Sequence, residues 1–237
     1  MSIGPVYPLS DFLVTIDPLD ATQEYTEGLL PYVTTQQCIV VNGRPVAGIV
    51  HQPFLQWPPT VAVPGSRQIF GGAPKATATA KATKAVEPYE LNGNRNVVEV
   101  SRSHMGDAAR LVAELFPGKE ALLAGGAGYK ALLVANGHAG AYLHATKSKA
   151  WDACAADALI VARAGRFTDT VGLDLVYDPA DPVLRHGLLG AASLEDHEWF
   201  AARLQAHPIT LVGHAGDRPV ESTFLRSGTT ARALDLA

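Results

Sequence analysis

The stretch VTIDPLDATQEY, Val14 to Tyr25, places two aspartates three residues apart at the end of an apolar run. The apolar residues predict a short buried strand, and the proline after Asp17 favours an extended conformation there, so we expect Asp17 to end the strand. Asp20 is then predicted to cap a helix that begins near Thr22. Two carboxylates are therefore expected at the C-terminal end of one strand.

The tight turn between Asp17 and Asp20 lets their carboxylates converge, and such carboxylates repel unless a cation lies between them or one takes up a proton. Carboxylates, a backbone carbonyl such as that of Leu19, water and a phosphate oxygen are the ligands that Mg²⁺ prefers. Amide groups around Ala21 and Thr22 at the helix start favour an anion in the same place. The stretch predicts a metal and phosphate site; the alternative is that the two aspartates only end a strand and cap a helix.

Two later motifs could contribute to such a site. In SKAWDACAADALIVARAG, Asp152 falls in the first turn of an apolar helix, where the helix dipole favours a carboxylate that remains able to reach a metal. In LLAGGAGYKALL, a glycine-rich turn leads from a strand into a helix, and Lys130 follows within reach of a phosphate. The alternatives are a simple helix cap at Asp152 and an ordinary tight turn before Lys130.

A fourth motif, VEVSRSH, ends a predicted strand with Ser101, Arg102, Ser103 and His104. These polar side chains lie at the edge of the predicted sheet, where they could contact a ligand. His104 taken alone is equally explained as a surface or capping histidine.

The composition limits the class of protein. The chain has 237 residues, 47% of them apolar and 18% charged, which is typical of a globular protein, and its net charge of −4 disfavours nucleic acid as a partner. Cys38 and Cys154 lack a metal-ligand or disulfide spacing, so we expect buried reduced thiols. A secretory signal and a run of about 18 apolar residues are not visible, so no membrane segment is predicted.

The chain divides into three predicted parts. Residues 1–95 read as an α+β domain with a hairpin at Asn42-Gly43 and an Ala/Thr/Lys-rich surface insertion at 73–87. Residues 96–205 alternate strands and helices, which favours an α/β layer, and residues 206–237 show no confident periodicity. The predicted fold class is α/β, or α+β, in layers.

Together these motifs resemble the lithium-sensitive, Mg²⁺-dependent phosphatases of the inositol monophosphatase superfamily. The segments DPLDAT and WDACA match its two most specific signatures, and DPLDATQEYTE, YVTT, VVNGRPVAGIVHQPF, VSRSH, GGAGYK and KAWDACA most resemble its Golgi-resident 3'-phosphoadenosine 5'-phosphate phosphatases. The resemblance runs from about Asp11 to about Leu204 and implies a layered α-β-α-β sugar-phosphatase-like fold.

The resemblance also implies roles for individual residues. Asp17 would bridge two Mg²⁺ ions, Asp20 and Asp152 would ligate the second, and the Leu19 carbonyl would complete the first. Thr22 would orient the attacking water, and a nucleotide substrate would lie against a set of residues drawn from all four motifs: Asp20, Ala21, Thr22, Ser101, His104, Gly126 and Lys130. The implied reaction is release of the 3'-phosphate by in-line displacement, in a protein linked to sulfation metabolism.

One departure from the family pattern lies upstream of Asp17. Family members carry there helices and a hairpin that supply a metal-binding glutamate and an acidic partner for the threonine, so we expect an N-terminally truncated fold. Glu24 and Glu27 match neither missing group and are expected to be solvated helix residues. The open alternatives are an inositol monophosphate phosphatase and a non-catalytic remnant. A homodimer also stays open, as does the location: Golgi lumen by resemblance, otherwise cytoplasm.

Overall fold

The computed structural model describes residues 7–54, 60–63, 68–70, 95–103, 107–207, 210–211 and 220–221. The first half forms an antiparallel sheet in the order β1-β2-β3-β4-β5, with one short helix after the first strand. Its elements are β1 (Phe12–Asp20), α1 (Thr22–Thr26), β2 (Thr34–Val41), β3 (Arg44–His51), β4 (Thr60–Val63) and β5 (Gln68–Phe70). The hairpin predicted at Asn42-Gly43 is confirmed: both residues have positive φ, +51° and +75°, as a type I′ turn requires.

The second half contains a mixed sheet with helices and two small strand pairs. Its elements are β6 (Val97–Ser101), α2 (Ala108–Leu115), β7 (Glu120–Ala124), α3 (Ala127–Ala135), β8 (Ala141–His144), β9 (Ser148–Lys149), α4 (Ala150–Ala162), β10 (Arg166–Thr168), β11 (Val183–Leu184), β12 (Leu188–Ala191), α5 (Leu194–Gln205), β13 (Thr210–Leu211) and β14 (Val220–Glu221). The predicted layered α/β class and its alternating strands and helices are confirmed.

The second sheet has the order β10-β12-β8-β6-β7. Strand β6 runs parallel to both β7 and β8, whereas β12 is antiparallel to β8 and β10. The carboxyl ends of the three parallel strands therefore lie along one edge, the place where ligands bind in open α/β sheets.

Helix α4 is the apolar centre of the molecule. It packs on β2 and β3 of the first sheet and on α3, and ten of its thirteen residues are buried. Gly48 of β3 permits the close approach, because a Cβ there would lie 2.6 Å from Cβ of Ala158. Since α4 joins the two sheets, its first turn, with Asp152, is held at the boundary between them.

Strand β1 is longer than predicted. It continues through Asp20, which pairs with Thr34 of β2 after an irregularity in register that follows Asp17. The prediction that Asp20 caps α1 is wrong, because the residue at the cap is Ala21, in the left-handed conformation (φ 68°, ψ 47°), and Asp20 uses its carboxylate elsewhere. Helix α1 has only five residues, and the anion site expected at Ala21 and Thr22 stays a prediction.

The two cysteines form a disulfide between β2 and α4, so the prediction of reduced thiols is wrong. Their Cα atoms lie 5.8 Å apart although 116 residues separate them in sequence. The prediction failed because sequence spacing does not show which elements pack together. The expected burial is confirmed, with Cys38 1% and Cys154 0% exposed.

Two predicted segments lie largely beyond the structural description. The insertion at 73–87 is outside the described residues, and so is most of the tail at 206–237. Within the described part of the chain, no helix is long and apolar enough to cross a membrane.

Candidate active site

A cavity of about 330 Å³ opens where the end of β1, the starts of α3 and α4, and the carboxyl ends of the parallel strands meet. Nine of the ten residues predicted for the site line this cavity: Asp17, Leu19, Asp20, Ala21, Thr22, Ser101, Gly126, Lys130 and Asp152. The tenth, His104, lies outside the described residues. Four motifs far apart in sequence are thus gathered around one cavity.

The side chain of Asp20 is fixed by three hydrogen bonds to one of its oxygens. Its Oδ2 accepts from Thr34 Oγ1 at 2.9 Å, from Gln36 Nε2 at 3.0 Å and from the backbone N–H of Gly128 at 2.8 Å. The last donor belongs to the first turn of α3, whose dipole also favours a negative charge. These bonds fix the side chain through Oδ2, and Oδ1 takes no part in them.

Asp17 and Asp152 have few stabilising contacts for their charges. Burial, then the nearby carboxylates of Asp20 and Asp152, raise the pKa of Asp17 to about 7. Burial and Asp20 also raise the pKa of Asp152, whose Oδ2 accepts from Ser148 Oγ and from the N–H of Lys149, both at 3.0 Å. A hydrogen bond between the two side chains raises the pKa of Asp17 and lowers that of Asp152.

The turn after Asp17 is organised by local hydrogen bonds. The Leu19 N–H donates to Asp17 Oδ1 at 3.1 Å, and Thr22 Oγ1 donates to the Leu19 carbonyl at 3.0 Å. Thr22 is exposed to solvent at the cavity, where its hydroxyl can reach water. The turn therefore presents a carboxylate, a carbonyl and a hydroxyl to the same space.

Lys130 lies beneath the glycine-rich turn and is only 2% exposed. Its Nζ donates to the carbonyls of Gly126 at 2.6 Å and Ala124 at 3.3 Å, and lies 5.2 Å from the ring centre of Tyr142. Burial lowers the pKa of Lys130 to about 8, while the surrounding carboxylates, beginning with Asp20, oppose this change. The side chain fixes the turn and adds positive charge at the cavity floor.

Glu24 differs from its prediction as a solvated helix residue. It is 1% exposed, lines the cavity, and pairs with Arg102, whose Nη1 lies 3.4 Å from Glu24 Oε1. Glu27 is about one-third exposed and contacts the same guanidinium. The prediction for Glu24 failed because helix α1 packs this side of its surface against the turn at Gly125.

Sequence reasoning missed several residues of the cavity wall. They lie on strand β8, on the segment between β8 and α4, or in the first turn of α4: Tyr142, His144, Lys147, Ser148 and Trp151. His144 had a recognisable signal, because it ends a strand that is parallel to the one ending in Ser101. The others become visible only when the fold places α4 beside that edge.

The donor chemistry of the cavity fits a hard divalent cation. Neighbouring carboxylates raise the pKa values of Asp17 and Asp152, so positive charge between them would relieve the repulsion, and oxygen donors are what Mg²⁺ prefers. Within the described ranges, no group of three or more His, Cys, Asp or Glu side chains is close enough together to hold a metal ion. The cavity offers the right atoms without a closed cage.

Comparison with known proteins gives a consistent relationship. The sequence pattern of the inositol monophosphatase family matches residues 5–208. Inositol monophosphatase 3 of Danio rerio is 36% identical over 211 residues, covering 86% of this chain and 57% of the relative. The human Golgi-resident adenosine 3',5'-bisphosphate 3'-phosphatase is 35% identical over 204 residues, covering 83% and 52%. The chain spans about half the length of the curated relatives it matches.

The fold is also found among solved structures. The crystal structure of CysQ from Bacteroides thetaiotaomicron, described as a bacterial member of the inositol monophosphatase family, superimposes with a TM-score of 0.65 at 22% identity. The match covers 77% of this chain and 70% of that one. The layered arrangement of sheets and helices is therefore shared at low sequence identity.

Proposed function

Because the chain belongs to the inositol monophosphatase family, we propose that it is part of a Mg²⁺-dependent phosphatase that hydrolyses the 3'-phosphate of 3'-phosphoadenosine 5'-phosphate to AMP and phosphate. The observation that carries the proposal is the convergence of Asp17, Asp20 and Asp152 on one cavity. The substrate is suggested by the relatives named as adenosine 3',5'-bisphosphate 3'-phosphatases, at 34–35% identity.

Four groups would hold the Mg²⁺ ions in this proposal: the carboxylates of Asp17, Asp20 and Asp152 and the carbonyl of Leu19. Bound ions of this kind activate water and neutralise charge on a phosphoryl group during in-line displacement. Asp17 would help to hold both ions, because its neighbours are the other carboxylates. Asp20 would offer Oδ1, since Oδ2 already accepts three hydrogen bonds.

The remaining residues bind and orient the reactants. The Thr22 hydroxyl would orient the attacking water, because it lies at the cavity beside the Leu19 carbonyl. Ser101, Ala21 and Gly126 line the space for the nucleotide. His104, outside the described residues, is proposed from the resemblance alone to contact the nucleotide. Lys130 would supply positive charge below the substrate's non-reacting phosphate.

A second candidate substrate is an inositol monophosphate. The zebrafish relative that carries the name inositol monophosphatase 3 is as similar to this chain as the bisphosphate 3'-phosphatases are. The same cavity carboxylates would serve either substrate, because the reacting group in both is a phosphate monoester.

The disulfide bears on where the protein works. Disulfides persist in oxidising compartments and are rare in the cytosol. The Cys38–Cys154 bond therefore favours the Golgi lumen, the location named for the bisphosphate 3'-phosphatase relatives. Alkylation and mass spectrometry of protein from its native source would detect the crosslinked pair; two alkylated thiols would contradict this location.

Phosphate release from purified protein tests the proposed function. We expect Mg²⁺-dependent hydrolysis of 3'-phosphoadenosine 5'-phosphate at a higher kcat/KM than that of inositol 1-phosphate, and loss of both activities in Asp17→Asn. Preference for the inositol phosphate would select the second candidate. Protein that is folded and binds Mg²⁺ but releases no phosphate would be a non-catalytic remnant.

A further inference from the structure

An ion pair beside the cavity joins the two halves of the chain. Glu24 comes from α1 in the first half, and Arg102 follows β6 in the second. Arg102 Nη1 lies 3.4 Å from Glu24 Oε1, and its Nη2 contacts Glu27 Oε2. One guanidinium therefore pairs with two carboxylates one helical turn apart.

The surroundings of this pair leave little room for adjustment. A Cβ on Gly125 would lie 2.5 Å from Cγ and Cδ of Glu24, so the glutamate lies directly on the backbone of the glycine-rich turn. The backbone N–H of Arg102 donates to the Ala124 carbonyl at 3.0 Å, which ties Arg102 to the same turn. Glu24 and Arg102 are thus fixed relative to each other and to the cavity wall.

The charge of Glu24 matters because of what surrounds it. It lines a cavity that already contains Asp17, Asp20 and Asp152, and the proposed substrate is an anion. A fourth uncompensated carboxylate in the wall would repel a phosphate ester. Arg102 stands outside the lining of the cavity and is one-third exposed, so its effect on the cavity passes through Glu24.

We propose that Arg102 is a positioning residue that neutralises Glu24 and thereby sets the affinity of the cavity for the phosphate ester. This inference rests on the proposed function for the nature of the substrate. It assigns a role to Glu24, in the segment EYTE, and to Arg102, in the segment VSRS. Neither residue is among the proposed metal ligands or nucleotide-binding residues. The role is electrostatic, so it depends on the charge of Glu24 as much as on Arg102.

The test compares four variants in phosphate-release assays. Arg102→Met should raise KM for the nucleotide roughly three- to tenfold, as one uncompensated charge does near a protein surface, with little change in kcat. Arg102→Lys should keep most of the affinity, and the double variant Glu24→Gln/Arg102→Met should recover it. Arg110→Met is the matched control, because Arg110 also pairs with two carboxylates, at 3.0 and 2.8 Å, away from the cavity.

The double variant decides between an electrostatic and a direct role. If its KM stays as high as that of Arg102→Met, Arg102 acts by itself and the proposal is overturned. Equal KM values for Arg102→Met and Arg110→Met would overturn it as well. Melting curves confirm that each variant is folded.

A second readout separates this inference from the proposed function. Should the wild-type chain release no phosphate, the proposed function fails, and binding of inorganic phosphate in Mg²⁺ is then measured by calorimetry for the same variants. Weaker binding by Arg102→Met, restored in the double variant, would support the ion pair's role. Absence of phosphate binding by the wild type, or no difference among variants, would contradict it.

Discussion

Helix α4 carries two aspartates five residues apart, Asp152 half-buried and Asp157 fully buried, and the comparison between them separates structural from functional charge. Asp157, in the middle of the helix, is 0% exposed and accepts a hydrogen bond from Tyr177 at 3.1 Å, with Arg44 Nη2 at 3.6 Å. Asp152, in the first turn, lies among the cavity carboxylates, with Asp20 raising its pKa and the buried Lys130 nearby. The protein supplies a paired counter-charge at one position and a cluster of carboxylates beside a lysine at the other.

This difference explains why similar pKa values at Asp157 and Asp17 have different causes. Burial raises the pKa of Asp157 to about 7, but Arg44 opposes the rise. Burial raises the pKa of Asp17, the partner of Asp152, to about 7, and there the neighbouring aspartates add to the rise. The carboxyl group of Asp157 has its counter-ion inside the fold, whereas the carboxyl groups at the cavity, which raise the pKa of Asp17, suit an external cation.

The largest expected effect follows from substituting the two kinds of aspartate. Asp17→Asn or Asp152→Asn should reduce Mg²⁺-dependent phosphate release by about 10²–10³-fold or more, comparable to the loss of a group that stabilises transition-state charge. Asp157→Asn should lower the melting temperature while retaining activity below it. A loss of activity in folded Asp157→Asn equal to that of Asp152→Asn would break the comparison.

The pH dependence of stability sharpens the comparison. In metal-free protein, Asp17 and Asp157 hold protons between about pH 4 and pH 7 that the unfolded chain has released, so stability is greatest at the low end of this window and falls as pH rises through it. Each group accounts for about 2–4 kcal/mol of this fall in the free energy of unfolding. Asp17→Asn should remove the contribution of Asp17 to this pH dependence, as measured by urea unfolding across the window. An unchanged slope of unfolding free energy against pH would contradict the raised pKa of Asp17.

Removing Arg44, the counter-ion of Asp157, tests the structural role of that pair. Arg44→Met should destabilise the fold by about 1–3 kcal/mol, below the usual cost of breaking a buried pair because Arg44 is 40% exposed. The remaining Asp157 would then be unpaired, so adding Asp157→Asn should restore part of the loss. Denaturant unfolding of the three variants measures this, and strictly additive losses would show that the pair is not coupled.

The smallest expected effect concerns two alanines in the left-handed conformation. Ala21 lies at the cavity, with φ 68°, and Ala164 lies beyond the far end of α4, with φ 64°. Ala21→Gly and Ala164→Gly should each stabilise the protein by about 0.5–1 kcal/mol, since glycine relieves the strain but gains entropy when unfolded. Thermal unfolding measures both; a loss of stability at either position would show that the alanine methyl has a packing role.

Much of the fold followed from local patterns. Turn chemistry and apolar runs located the Asn42-Gly43 hairpin and the starts of helices α3 and α4. These elements were predictable because turn chemistry and burial act over a few neighbouring positions. Short strands such as β9 and β11 were not, because two residues carry no periodicity.

The site was predictable to the extent that each motif carries its own chemistry. The aspartates, the glycine-rich turn and Ser101 were found separately, and the structure places them around one cavity. Roles that depend on contacts between distant segments were missed. Asp20 was assigned to a helix cap because its donors, Thr34, Gln36 and Gly128, are 14 to 108 residues away.

Partners across the fold also explain the other errors. The Cys38–Cys154 bond requires knowing that β2 packs on α4, and the burial of Glu24 requires knowing where Gly125 lies. Neither fact is encoded in residue spacing along the chain. Sequence reasoning therefore identified residues that are able to do chemistry, and the fold determined which partners they contact.

The most direct test is the melting temperature as a function of Mg²⁺ concentration for the wild type, Asp17→Asn and Asp157→Asn. An ion bound at a hundred times its Kd adds about 2.7 kcal/mol of stability, which corresponds to a rise of about 5–10 °C for a chain of this size. We predict this rise for the wild type, the same rise from a lower starting temperature for Asp157→Asn, and none for Asp17→Asn. An equal rise in Asp17→Asn, or none in the wild type, would contradict the assignment of the cavity aspartates as the cation site.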